Sequence, residues 1–292
     1  MRGAPFQLAR FDKEWHDTSN RVTLPSVNFL VSRRQFLDLH LINLADMGQF
    51  RESRPPSEQI VGATKWCVFK QIIPTRQAVW AAVQERMVRM RSQQVDLLQF
   101  HWQDYTDKGY LTALSILNDL RMEGHIRAIG LCNFDAIRTD EICTELGPGV
   151  IVSNQVQFSV IDTRPLHGMS DVCDRHGLKL LTYGTLYLDM IVKAWGTWDL
   201  FQTLLSVLRK VGDRHGGRSI ANVATRWVLD HHFVGAVIIG ARLGLSEHRD
   251  DNLHVSSFRL TDTDRAEIEA VLERSNGRRI ISTIGDCGAE YR

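Results

Sequence analysis

Lys65 and His101 each stand where a short apolar run of the chain stops, and further polar residues mark the stops that follow: Cys132-Asn133, Asn154-Gln155, Tyr183-Gly184-Thr185 and Gly240-Ala241-Arg242. Asn43 and Asp46 hold comparable places earlier in the chain. A cationic lysine beside an imidazole, followed by two side-chain amides and an aromatic ring, is a donor set suited to polarising a carbonyl next to a flat ring cofactor. Taken singly, Lys65 reads as a strand-end lysine with its stem on apolar surface, and His101 as a satisfied core histidine. At neighbouring strand ends the two favour a shared site. Asp46 reads most simply as a solvated loop carboxylate.

The elements that must position these residues are short runs rich in apolar and β-branched residues, alternating with helical patterns. The predicted strands are 62–66, 95–100, 126–132, 150–155, 179–184 and 235–240. Between them, 77–90, 110–125 and 220–232 place apolar residues at i, i+3 and i+4 with charges opposite, the pattern of helices packed on a sheet. The longer gap before the last strand holds one more helix, 198–216, docked on the rim or acting as a lid. Strand and helix in regular alternation predict a parallel sheet, and the economical model is a single α/β domain over 1–292, a (β/α)8 TIM barrel. Its first two βα units are expected to be abbreviated or irregular within residues 1–60. SVNFLV (26–31) and HLINLA (40–45) lie too close together for a parallel crossover, so the preferred reading makes 26–37 a helix and FQLARF (6–11) the first strand. Pro55-Pro56 then leave room only for a short helix.

Composition narrows the function. Over 292 residues, 35 Lys and Arg oppose 34 Asp and Glu, a net charge of +1, which argues against a nucleic-acid or acidic-membrane surface and favours a small-molecule partner. With 43% hydrophobic and 24% charged residues the chain can bury a sizeable core. No apolar run approaches the roughly 18 residues of a membrane span, and the first residues lack a secretory apolar stretch, so a cytoplasmic location is expected. The five cysteines form no CxxC pair and no metal-ligand spacing; no metal site is expected. Cys132 is the one candidate nucleophile, with a buried structural thiol as the commoner fate. No GxGxxG or GxxxxGK[ST] is present, which disfavours a Rossmann or P-loop cofactor site. Arg86, Arg89, Arg91, Arg209 and Lys210 read as solvated helix faces. Trp195 and Trp198 fit an aromatic lid and rim packing equally well.

The segments ATKW, LLQFHW, IRAIGLCNF, VSNQVQFSVID, LLTYGTL and VIIGARLGLSEHRDDNL, in this order and at this spacing, resemble the successive strand-end motifs of the aldo-keto reductase family over about residues 40–275. The resemblance implies a barrel that uses NADP(H) to pass hydride between nicotinamide and a carbonyl or alcohol. It implies that Lys65 tunes the proton donor and His101 orients the substrate carbonyl. Asn133 and Gln155 would bind the nicotinamide carboxamide, and Tyr183 would stack on its ring. Gly184, Thr185 and Leu186 would run beside the pyrophosphate. Gly240 and Arg242 would lie at the 2′-phosphate, with His248 flanking the pocket and Asp251 and Asn252 at the adenine edge.

The chain departs from that pattern where the proton donor belongs. The family's Asp aligns with Asn43, and its Tyr, five residues later, either aligns with Gly48 or is simply deleted. Removing a general acid forfeits roughly 10²–10⁴ in rate. Cys132 stands where the family usually carries Ser, and the segment after TYGTLYLDM differs from the cofactor-covering loop. Two other functions are compatible with these departures: a repurposed barrel doing cofactor-free proton transfer as an isomerase, dehydratase or cyclase, and a catalytically silent barrel that binds a ligand or partner.

Overall fold

The computed structural model describes residues 8–11, 27–30, 52, 62–184, 195–238 and 249–291. Six strands form one parallel sheet in chain order: β3 (Ala63–Val68), β4 (Val95–Trp102), β5 (Ile126–Cys132), β6 (Ile151–Gln157), β7 (Lys179–Tyr183) and β8 (Val234–Val237). Every neighbour in the sheet is also the neighbour in sequence, the arrangement of barrel staves. Ahead of them, β1 (Leu8–Phe11) and β2 (Val27–Leu30) pair antiparallel as a separate two-stranded sheet. Leu8–Phe11 falls within the expected first strand, but Val27–Leu30 is extended where a helix was preferred, as its alternating VNFL pattern permits. HLINLA and Pro55-Pro56 lie outside the described residues.

The helices are α1 (Arg76–Arg89), α2 (Gly109–Met122), α3 (Ala136–Leu146), α4 (Met169–His176), α5 (Trp198–Arg214), α6 (Ile220–Leu229), α7 (Arg249–Leu253), α8 (Asp262–Leu272) and α9 (Gly277–Ile284). Several start where a short polar side chain takes the orphan N–H of the first turn: Thr75 from Ala78, Asp135 from Arg138, Thr197 from Leu200 and Ser219 from Asn222. Thr261 and Asp264 form a reciprocal capping box at α8. In α5 the buried residues Leu200, Phe201, Leu204, Leu208 and Val211 recur at helical spacing, and this face packs on α6 and α8. Among the described residues no helix is long and apolar enough to cross a membrane.

The period of two along each strand divides the core. Outward residues such as Trp66, Leu98, Phe100, Leu131, Val156, Leu180 and Val237 join the large apolar layer beneath the helices. A small inner cluster, Leu97, Leu181 and Ala236, closes the floor on the other face. Above it, register aligns Lys65 with Gln99, Gln99 with Gly130, and Gly130 with Ser153. Two residues further along the strands come His101, Cys132 and Gln155, with Tyr183 at the end of β7. The apolar floor thus gives way to a polar mouth at the carboxyl ends.

Candidate active site

Lys65 is half-buried on the inner face of β3, one layer below His101. Its backbone carbonyl accepts a hydrogen bond from Arg86 Nε at 2.9 Å. Arg86 therefore departs from the solvated helix face expected of it: only 11% of its side chain is exposed, and it ties α1 to the lysine strand. His101 is 2% exposed, and its ring meets Phe69 and Tyr291 edge-on at centroid distances of 5.8 and 6.0 Å.

The two amides occupy adjacent strand ends. Asn133 follows β5 in the left-handed region, φ 60°, which asparagine tolerates better than most residues. Its N–H donates to the Gln155 carbonyl at 2.9 Å. Gln155 is 4% exposed, and its Oε1 lies 3.7 Å from Cys132 Sγ. Burial pushes the Cys132 thiol above its usual range, with the nearby Lys65 ammonium opposing the shift. A thiol held neutral in this way is poorly suited to nucleophilic attack.

Tyr183 ends β7 with its hydroxyl donating to Asn133 Oδ1 at 2.9 Å and lying 2.9 Å from the Tyr291 hydroxyl. Burial, then the neighbouring Tyr291, raises its pKa far above that of an ordinary phenol. Gly184 continues the chain with φ +70°, beside the Gln157 side chain. Asp251, on α7, accepts from Ser219 Oγ at 2.8 Å and Asn222 Nδ2 at 2.7 Å, so its carboxylate braces the start of α6. Asn252 is its half-buried neighbour. The structure thus gathers Lys65, His101, Asn133, Gln155, Tyr183 and Gly184 at one mouth. Thr185, Leu186, Gly240, Arg242 and His248 lie outside the described residues, as do Asn43, Asp46 and Gly48.

Sequence reasoning missed the C-terminal segment. Asp286 Oδ2 accepts from the N–H of Ala136 at 2.8 Å, capping α3 immediately after the Asn133 turn. At Gly288, φ +76°, an added Cβ would stand 2.1 Å from the Asn133 carbonyl oxygen, so only glycine permits this approach. Glu290 joins a nearly buried ion cluster: Arg164, 2% exposed, forks onto Asp162 at 2.9 and 2.8 Å and onto Glu290 at 2.6 and 3.0 Å. Burial opposes the Arg164 charge, but the hydrogen bonds it donates to the two carboxylates more than offset it and raise its pKa. Gln103 Nε2 donates to the Tyr291 carbonyl at 2.8 Å, which completes the anchoring. No local pattern announces contacts spanning 108 to 188 residues. The isolated aromatic at 291 was the only available signal.

The other aromatics have structural placements. Tyr110 is buried and hydrogen-bonds Glu141 at the α2 start, and the Tyr105 hydroxyl lies 3.5 Å from the Asn133 carbonyl. Trp195 is packed in the core at 1% exposure, while Trp198 is 64% exposed.

The family model described as Aldo/keto reductase family matches residues 43–273. Glyoxal reductase from Bacillus subtilis (strain 168) is 30% identical over 195 residues, which are 65% of this chain and 62% of the relative. Methylglyoxal reductase from Salmonella typhimurium is 25% identical over 199 residues, 68% of this chain and 65% of the relative. The matched part thus spans somewhat under two thirds of the length of these curated relatives. Among solved structures, a glycerol dehydrogenase from Gluconobacter oxydans superposes with a TM-score of 0.64 at 21% identity, covering 79% of this chain and 77% of that one. A thermostable aldo-keto reductase gives the same TM-score at 20% identity and the same coverage. Sheet order and these superpositions make the fold that of the family's α/β barrel, and with the match over residues 43–273 the chain belongs to the aldo/keto reductase family.

Proposed function

We propose that the chain is an NADP(H)-dependent oxidoreductase acting on a small carbonyl or alcohol. The observation that carries this reading is the convergence of Lys65, His101, Asn133, Gln155 and Tyr183 at one carboxyl-end mouth. The donor set fits a nicotinamide. Two side-chain amides at neighbouring strands offer both N–H donors and carbonyl acceptors, as a primary carboxamide requires. When bound, a reduced nicotinamide supplies hydride to a carbonyl carbon.

The chain's own residues do the rest. Asn133 and Gln155 would hold the carboxamide, and the Tyr183 ring would fix which face of the nicotinamide is presented. By the family resemblance, Gly184, Thr185 and Leu186 would run beside the pyrophosphate, Gly240, Arg242 and His248 would take the 2′-phosphate end, and Asp251 with Asn252 would border the adenine. His101 hydrogen-bonds the carbonyl oxygen, and Lys65, one layer below, adds positive potential where negative charge develops. The names of the relatives, glyoxal and methylglyoxal reductase, make a small dicarbonyl the first substrate to try.

Titration with NADPH, followed by tryptophan quenching or calorimetry, tests the reading, with Arg242→Ala as control. The proposal expects saturable binding that weakens in Arg242→Ala. Absence of binding at saturating cofactor would refute it and turn the search to cofactor-free proton transfer or to partner binding.

A further inference from the structure

We propose that Tyr291, carried on the C-terminal segment, is the proton donor of this site. The inference rests on the oxidoreductase reading above. That reading needs an acid beside His101, and the chain has Gly48 where the resemblance expects a tyrosine. The structure brings another phenol to the same mouth. The Tyr291 ring stands edge-on to His101 at 6.0 Å, and its hydroxyl lies 2.9 Å from that of Tyr183. It therefore spans the gap between the imidazole that would orient a carbonyl and the ring that would face the nicotinamide.

The surrounding contacts hold that phenol in place. Glu290 is forked onto nearly buried Arg164, Gln103 grips the Tyr291 carbonyl, Gly288 lies flush against Asn133, and Asp286 caps α3. Four independent tethers over six residues fix the backbone on both sides of the mouth, so positioning does not depend on a free tail. The phenol keeps only side-chain torsions with which to follow a bound carbonyl.

In the proposed step the Tyr291 O–H bond breaks as its proton passes to the carbonyl oxygen. The electron pair for the new O–H bond is the former C=O π pair, released as the carbon gains hydride from the reduced dinucleotide. The product is the alcohol, and the Tyr291 phenolate recovers a proton from water. The groups facing this phenol are Tyr183, His101, Glu290, Cys132 and Arg164. Burial raises its pKa, the Glu290 carboxylate and Cys132 add to the rise, and Arg164 opposes it.

The test compares wild type with Tyr291→Phe, which keeps the ring and removes only the hydroxyl, and with Glu290→Gln, which loosens the tether. NADPH affinity is read by tryptophan quenching, reduction of a small dicarbonyl by kcat across pH, and the phenol by ultraviolet titration of the cofactor-free protein. The expected result for Tyr291→Phe is unchanged NADPH affinity and one fewer titrating phenol. Its kcat should fall about 10²–10⁴-fold and lose the alkaline decline expected of wild type. Glu290→Gln should lower kcat more modestly and keep that decline. Turnover unaffected by Tyr291→Phe overturns this inference alone. Tighter NADPH binding with higher kcat in that variant also overturns it, since the phenol would then be an obstruction. Failure of wild type to bind NADPH overturns the oxidoreductase reading, and this inference with it.

Discussion

Neutralising Asp162 should destabilise the protein more than neutralising Glu290, although both carboxylates fork onto the same guanidinium. Asp162 is fully buried, whereas 25% of the Glu290 side chain is exposed. In Asp162→Asn the Arg164 charge, itself 2% exposed, loses its buried counter-charge and keeps only the partly solvated Glu290. Breaking a buried pair from one side costs about 3–5 kcal/mol. In Glu290→Gln, Asp162 still neutralises Arg164, and water replaces part of what is lost, so the cost should be about 1–2 kcal/mol. Urea unfolding at pH 7, followed by tryptophan fluorescence, separates the two through their midpoints at constant m-value. In thermal melts each kcal/mol should appear as about 2–4 °C. Equal destabilisation, or a larger effect of Glu290→Gln, would refute the argument that burial of the counter-charge sets the energy.

Other consequences can be checked separately. Gly288→Ala adds a Cβ at 2.1 Å from the Asn133 carbonyl at a left-handed φ, so it should displace the C-terminal segment and destabilise by about 1–3 kcal/mol, read by urea unfolding and by Tyr291 exposure in ultraviolet titration. Asp264 is held well below the usual carboxylate range: burial would raise it, but bonds from His215, Thr261 and Arg214 prevail. A depressed folded pKa means stability that is present above the unfolded value of about 3.9 and lost as pH falls below it, so acid unfolding curves should flatten in Asp264→Asn. Burial pushes the thiols of Cys67 and Cys143 up to about 12 and also raises Cys132, Cys173 and Cys287, so native protein at pH 8 should alkylate slowly and unfolded protein rapidly.

Much of the barrel was legible because buried parallel strands read as apolar runs and their crossover helices as amphipathic periods. The boundaries slipped where chemistry interrupts the pattern. The strand read as ending at Phe100 continues through His101 and Trp102, and the one read as ending at Gln155 continues to Gln157, since backbone pairing persists after inner-face residues turn polar. Lys65, His101, Asn133, Gln155 and Tyr183 stood out as candidates because polar stops recur at successive strand ends. Arg86 was misread: a helix-face arginine gives no sequence sign that its fork reaches the Lys65 carbonyl. The C-terminal segment was invisible for a related reason. Asp286, Glu290 and Tyr291 have no periodicity, and their partners Ala136, Arg164 and Tyr183 lie 108 to 150 residues away.

The central claim, that this mouth reduces carbonyls, is tested most directly by following NADPH consumption with methylglyoxal in wild type, Lys65→Met and His101→Ala. The account predicts turnover by wild type, NADPH affinity preserved in both variants, and kcat about 10²–10⁴-fold lower in each. No NADPH consumption by wild type across small carbonyls, or turnover that survives both substitutions, would contradict it.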